Sequence, residues 1–424
     1  MNREPHTPMF KSLSSITYPV ADLAQARAWY VGVLGREPAL ESPLAAVFAV
    51  GNCMLGLLAV AEPAAHTLQG AVAYWSVDDI DAAWKRLLDS GAAPQCEIYF
   101  NAPGSRIARV TDPFGNVLGI ASRASAAAQK TLEDQPSDSA MGVALWRAIA
   151  AAEAREEIRG PDSLACAFLT DDFRKLVANP AARQWLMQKV PGNYEFFLAR
   201  TAWFDEVVRE ALQANTPQIV FLGAGYDSRP YRLRHLIRET RIFELDIGPT
   251  QRRKRQALEQ ANMPVPEQVT FVSVNFTRDR LEEVLTAAGF DKTLQTLFVW
   301  EGVAYYLPAE AVDRTLDFVR LNSPAGSILC FDYLADAPDM LDRYGVKESM
   351  AAMQTTYLAE PVQSRIEEGT IEAFLSERGY SLLEHLTEKD LETRYLTLRD
   401  GSPAGRALAC FRLVKASASG APPR

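Results

Sequence analysis

Short apolar runs punctuate the second half of the chain, starting 23 to 31 residues apart. They are QIVFL (218–222), RIFEL (241–245), VTFVSV (269–274), TLFVW (296–300) and SILCF (327–331). Between them PTQRRKRQALEQA, RDRLEEVLTAAG and PAEAVDRTLDFVRLN have helical patterning. Apolar strands alternating with helices predict an α/β fold, a doubly wound and mostly parallel sheet of Rossmann-like type. In such sheets ligands bind beyond the carboxyl ends of the strands, so the residues that follow each run are the candidates for chemistry. The polar QRRKR run at 251–255 reads as a solvated helix face.

The first half repeats itself. VADLAQARAWYVGVLG from Val20 and VDDIDAAWKRLLDSG from Val77 share V-x-D-[L/I]-x-x-A and end in Gly35 and Gly91. In each, an apolar strand precedes an aspartate placed to cap a helix of about three turns. ARVTDPFGNVLGIA (108–121) then sets a turn, Asp112 to Asn116, between two strands. The pattern predicts an α+β domain of paired βαβββ modules. The charge-free stretch from Ser42 to Ala61 is long enough to span a bilayer. Gly51-Asn52 splits it into two short apolar runs, which predicts a buried hairpin instead. Residues 123–139 are small and polar and read as a linker. The expected organisation is 1–122, a linker at 123–139, and 140–424.

Composition narrows the functional classes. The 424 residues include 44 Lys+Arg and 53 Asp+Glu, a net charge of −9. Residues 1–125 hold 9 basic and 11 acidic residues, so neither half carries the basic surface a nucleic-acid backbone requires. Five widely spaced cysteines exclude a zinc ribbon and a disulfide framework. The N-terminal MNREPHTPMFKSL has no apolar core of a signal peptide, so a cytoplasmic location is expected.

The first strand of the second half runs into Gly223-Ala224-Gly225-Tyr226-Asp227-Ser228. Two glycines let the backbone turn tightly and approach a ligand. A dinucleotide fingerprint would have a third glycine where Ser228 stands. Asp246 ends the second strand, 23 residues beyond Gly223, where a carboxylate accepts from both hydroxyls of a ribose. Asn275 and Phe276 follow the third strand and offer an amide and an aromatic face to an adenine. Glu301 follows the fourth. Arg200, in NYEFFLARTAWFDEVV, is placed to pair a ligand carboxylate in forked fashion. Ribose, adenine and carboxylate without pyrophosphate describe S-adenosyl-L-methionine and not NAD.

FLGAGYDSRPYRL, FELDIGPTQRRKR, VNFTRDRLEEVLTAAGFD and TLFVWEGVAYYLP, in this order, resemble the leucine carboxyl methyltransferase-like family of class I S-adenosylmethionine-dependent O-methyltransferases. The resemblance runs from about residue 141 to 415 and implies cofactor contacts at Arg200, Gly223, Asp246, Asn275, Phe276 and Glu301; the glycine loop adds Gly225 as a candidate. The family usually has Asp where this chain has Asn275. SITYPVADLAQARAWYVGVLG and VTDPFGNVLGI resemble the vicinal oxygen chelate superfamily, the glyoxalase and bleomycin-resistance group, over about residues 10–122. Its enzymes hold a divalent metal with His and Glu, but the equivalent positions here are Ser15, Val72 and Gly119. The half's histidines, His6 and His66, fall off the strands, so no metal is expected.

The reading is an enzyme that transfers a methyl group to an oxygen, carboxylate or acidic hydroxyl, of a small molecule. A carboxylate is already ionised at neutral pH and needs no general base, and no residue stands out as one. The acceptor cleft is expected beneath the helices around 145–200 and the segment 335–370. The alternatives are a binding protein that sequesters a small molecule in the N-terminal cleft, or a metal-dependent lyase or dioxygenase fused to a methyltransferase. The expected partner is a small-molecule acceptor, with no nucleic acid and no membrane; chelate-fold modules pair in that superfamily, which leaves a homodimer open.

Overall fold

The computed structural model describes residues 15–51, 53–59, 72–102, 105–123, 136–356 and 360–419. The chain divides into two compact units, residues 1–128 and 129–424.

The sequence repeat of the first unit is a structural repeat. β1 (Ser15–Val20), the helix Leu23–Leu34, β2 (Leu40–Ser42), β3 (Ala45–Val50) and β4 (Cys53–Ala59) form one module. β5 (Tyr74–Ser76), the helix Ile80–Asp89, β6 (Ala93–Ala102), β7 (Ser105–Thr111) and β8 (Val117–Arg123) form the other. The strand orders are β1-β4-β3-β2 and β5-β8-β7-β6, each with one parallel pair followed by hairpins. The two aspartates of the repeat cap their helices: Asp22 accepts from Gln25 N–H, and Asp79 accepts from Asp81 and Ala82 N–H. The charge-free stretch is the β3–β4 hairpin, with Val50 opposite Cys53 and Gly51 at φ +58°. Asn52 lies outside the described residues. Among the described residues no helix is long and apolar enough to cross a membrane.

One core unites the modules. Val20, Tyr30, Phe48 and Leu55 of the first pack in a single cluster with Ile80, Leu87, Val110 and Leu118 of the second. The hydroxyl of Tyr30 donates to Asp112 Oδ2 at 2.8 Å, and Asp112 Oδ1 accepts from Phe114 and Asn116 N–H at 2.9 and 2.7 Å. The turn anticipated at 112–116 is therefore held by the side chain that receives the other module's tyrosine.

In the second unit the sheet comprises β9 (Gln218–Leu222), β10 (Arg241–Asp246), β11 (Val269–Ser273), β12 (Thr296–Trp300), β13 (Ile328–Asp336), β14 (Ile366–Glu367), β15 (Tyr380–Leu386) and β16 (Phe411–Ala418). Its order is β11-β10-β9-β12-β13-β16-β15, with β14 extending the end of β13. The strands β9 to β13 run parallel, and β16 is antiparallel to both its neighbours. β9 and β12 are buried along their whole length, as expected where helices cover both faces. From β9 the chain winds outward through β10 to β11, then returns to lay β12 on the other side of β9. That reversal opens a crevice at the carboxyl ends of β9, β10 and β12.

The helix Asn193–Gln213 joins two cores. Phe196, Ala199, Trp203 and Val207 pack with the sheet. Tyr194 and Leu198 pack with Leu145, Trp146 and Ile149 of the helix Asp138–Ala151. This double burial leaves no residue from Asn193 to Val208 exposed, the polar Arg200 and Asp205 included.

Both partners of the Tyr30–Asp112 bond are buried, and the acceptor is a carboxylate. Tyr30→Phe is expected to lower the stability of the first unit by about 1.5–3 kcal/mol, the scale for a hydrogen bond to a charged group. Calorimetry of the full chain should show its transition shifted down, with that of the second unit unmoved.

Candidate functional site

A cavity of about 220 Å³ occupies the crevice. Gly223, Gly225, Asp246, Asn275, Phe276 and Glu301 all line it. Residues that sequence analysis placed at four different strand ends thus converge on one space.

The glycines are required by geometry. Gly223 and Gly225 have φ of +77° and +42°, where side chains are strained. A Cβ on Gly223 would also overlap the Val303 side chain, and one on Gly225 would stand 3.2 Å from Ala140 Cβ. The loop is tied to the neighbouring strand by Asp246, whose Oδ2 accepts from Gly225 N–H at 2.6 Å and whose Oδ1 accepts from Ile247 N–H at 2.7 Å. Each carboxylate oxygen keeps a second lone pair. Burial pushes the Asp246 carboxyl up to about 6, against the opposing pull of those two amides and of Lys254. An adenosyl ligand fits this donor set: a cradle with no room for a Cβ, and beside it a carboxylate with acceptor capacity left for a ribose diol.

Phe276 packs partly against the sheet core and offers its ring to the cavity. Asn275 lines the wall, but its Oδ1 already accepts from Thr277 N–H at 3.0 Å and Thr277 Oγ1 at 2.7 Å. The adenine contact expected of that oxygen competes with a local turn.

The structure places Arg200 behind the cavity wall. It is fully buried and absent from the cavity wall. Its Nη1 donates to Asp332 Oδ2 at 2.7 Å, and its Nε stands 3.1 Å from Glu301 Oε1. Two internal carboxylates offset its charge, and it is placed to orient Glu301 from behind the wall. Glu301 Oε2 in turn accepts from Arg229 Nη1 at 2.7 Å. Arg229 also donates to Asp205 at 2.8 Å and Asp227 at 2.6 Å, and Coulomb attraction to this guanidinium helps hold the buried Asp227 carboxyl below its usual range, against desolvation.

Two wall features were not read from the sequence. Arg147, on the helix Asp138–Ala151, is the only cation among the described wall residues. Its Nη2 donates to Tyr226 O at 2.7 Å, and its Nε lies 3.4 Å from Asp162. It can meet the ligand carboxylate assigned above to Arg200. Its sequence signal was weak, one of two arginines in ALWRAIAAAEAR. The second feature is Glu360, which closes the cavity against the start of the same helix. It accepts from Asp138 N–H at 3.0 Å, from Ser137 Oγ at 3.1 Å and from Ser139 Oγ. Burial raises its carboxyl above the usual range. Gln363 follows, donating to Tyr306 O at 2.7 Å. Glu360 and Gln363 bring part of the segment 335–370 to the cavity wall. Val143, Val303, Tyr306 and Leu307 give the wall an apolar sector that an acceptor can share.

In the first unit, a side chain at Gly119 would meet the Tyr74 ring at 2.5 Å. Among the described residues no three His, Cys, Asp or Glu stand together as metal ligands. His6 and His66 lie outside the described residues.

Residues 140–320 match the leucine carboxyl methyltransferase family, and residues 12–120 the glyoxalase/bleomycin resistance protein/dioxygenase superfamily. A Bacillus subtilis protein titled "Putative S-adenosyl-L-methionine-dependent methyltransferase YktD" is 31% identical over 206 residues, which cover 48% of this chain and 66% of that protein. A Mycolicibacterium gilvum protein with the same title, without the gene name, is 35% identical over 176 residues, 41% of this chain and 69% of its own length. Among solved structures, a DUF574 family protein of Streptomyces avermitilis aligns over 68% of this chain and 99% of its own at 13% identity, with a TM-score of 0.47. The chain spans 64–66% of the length of the first curated relatives it matches.

Two predictions test the cradle. Gly223→Ala should weaken S-adenosylmethionine at least about tenfold, because the new Cβ combines a strained φ with overlap against Val303; calorimetric titration reads it. Asp246→Ala should cost about 1.5–3 kcal/mol of that affinity. The wild-type carboxyl is raised to about 6, so it is protonated below that pH and cannot accept from both hydroxyls. Affinity should therefore rise as pH increases from 5 to 7 and level off above, with protons released on binding near pH 6. Titrations in buffers of different ionisation enthalpy check this, and Asp246→Asn should flatten the profile.

Proposed function

Because the chain belongs to the leucine carboxyl methyltransferase family, with S-adenosylmethionine as its cofactor, we propose that it transfers a methyl group to an oxygen of a small molecule. One observation carries the reading. The glycine loop and Asp246 are hydrogen-bonded into a single cradle at the topological switch point, which supports a nucleoside there.

In this reading Gly223 and Gly225 let the backbone approach the ligand, Asp246 takes the ribose diol, and Phe276 lies against the adenine. Arg147 meets the carboxylate, and Glu301 faces the cationic part of the ligand. The bound cofactor supplies an activated methyl on a sulfonium. The chain's own residues orient the two reactants and exclude water. The acceptor sits against Val143, Val303, Tyr306 and Leu307. Its reacting oxygen is a carboxylate or an acidic hydroxyl, because those are nucleophilic at neutral pH without a dedicated base. The glyoxalase-like unit ahead of this fold has its own core.

A thermal-shift series with S-adenosylmethionine, S-adenosylhomocysteine and NAD tests the assignment, since a specific binder adds stability as RT ln(1 + [L]/Kd). The adenosyl compounds should raise the transition of the second unit and NAD should not. A shift with NAD alone removes the proposal. Candidate acceptors can then be screened by intact mass for one added methyl.

A further inference from the structure

A second cavity, of about 70 Å³, lies in the second unit. One stretch of chain walls both cavities. Glu301, Gly302, Val303, Tyr306 and Leu307 line the first, whereas Trp300, Ala304 and Tyr305 line the second. The connecting segment behaves likewise: Gln363 lines the first cavity, and Ser364 and Arg365 line the second. The two stretches are fastened to each other. Gln363 and Ser364 N–H donate to Tyr305 O at 2.8 and 3.2 Å, and Ser364 Oγ donates to Ala304 O at 2.9 Å. β13 closes the second cavity with Phe331 and Tyr333, and the helix Ile371–Glu377 closes it with Phe374.

The lining of the second cavity combines aromatic rings with donors that lack acceptors. Trp300 is fully buried, and its indole N–H has no hydrogen-bond partner. A buried donor left unpaired destabilises the fold until an acceptor reaches it. On the described lining two guanidinium groups, Arg365 and Arg378, meet one carboxylate, Asp313. Arg378 is engaged, since its Nε donates to Asp313 at 2.8 Å and its guanidinium lies 3.8 Å from the centre of the Phe374 ring. Arg365 has no carboxylate partner among the described residues; its Nη2 stands 3.8 Å from Met350 Sδ. A cavity of about 150 Å³ takes a benzene ring, so one of about 70 Å³ takes about three carbons. We propose that this cavity is a second ligand site for a small aliphatic carboxylate, and that its occupant strengthens cofactor binding through the shared wall, the second clause resting on the cofactor assignment above. The alkyl chain lies among the rings, and the anionic head takes the donors of Trp300 and Arg365. The occupant then holds Trp300 and Tyr305 from one side while the cofactor holds Glu301 and Tyr306 from the other. Each ligand stabilises the arrangement of 300–307 that the other needs, a coupling that is reciprocal.

Calorimetric titration of the full chain with butyrate at pH 7.5 tests the site, at fixed ionic strength so that the general attraction of anions to surface arginines is constant. Butyrate should bind saturably, and acetate and 1-butanol, which lack the chain or the charge, should bind at least about tenfold more weakly. Trp300→Phe keeps a ring and removes the donor; Arg365→Gln removes the charge at an exposed position. Each should weaken butyrate severalfold, and the Arg365 variant covers the case in which Trp300→Phe does not fold. With butyrate saturating, S-adenosylmethionine should bind at least about threefold more tightly. Absence of butyrate binding, equal binding of all three probes, or variants that bind butyrate as the wild type does, overturns the site. Butyrate binding that leaves the affinity for S-adenosylmethionine unchanged overturns the coupling. Failure of S-adenosylmethionine to bind, with butyrate absent or present, overturns the cofactor assignment and leaves the site standing.

Discussion

Arg229 lies fully buried among Asp205, Asp227 and Glu301, and the geometry of the crevice depends on it. Each of these ions loses its hydration on folding, and their mutual attraction repays the loss only because the distances are 2.6 to 2.8 Å. The reward is positional. Asp205 belongs to the helix Asn193–Gln213, Asp227 to the loop after β9, and Glu301 to the end of β12. Arg200 extends the link to Asp332 of β13, whose Oδ1 accepts from Gly302 N–H at 2.6 Å. A network of this kind fixes the floor of the cavity before any ligand arrives, so little ordering is left to be done on binding.

The fold was legible where burial is two-sided. β9 to β13 are apolar runs because helices cover both faces of a parallel sheet, and the sequence of such strands announces itself. β15 and β16 were not anticipated. β15 carries an exposed Leu383 amid Glu384 and His385, and β16 carries Arg412 and Lys415 between apolar residues. Arg412 is nevertheless buried, paired with Glu368 and Glu388, a compensation visible only when distant segments meet. The paired modules of the first unit were legible for a different reason: two copies of one local pattern support each other.

In the site, residues whose place follows from the strand they terminate were readable: Gly223, Gly225, Asp246, Phe276 and Glu301. Residues brought in by packing were not. Arg147 and Glu360 come from a helix and a connecting segment whose approach to the crevice no local pattern encodes. Arg200 was read as a ligand contact because its two acidic partners lie far along the chain. The QRRKR run was likewise only half solvated. Gln251 and Lys254 share a face with Ala257 and Leu258, and Lys254 is buried against Glu244. A period of three to four within the polar run carried that signal.

The opposition of Tyr74 and Gly119 across β5 and β8 has an evolutionary consequence. The ring occupies the space a side chain at 119 would need, and its near carbons, not its flexible tip, make the overlap. A carboxylate placed at 119 alone would collide, and a smaller residue at 74 alone would expose an unfilled glycine strand. Neither single step is neutral, so the two positions hold each other in place like a ratchet. A liganding residue at 119 therefore calls for a second change at 74.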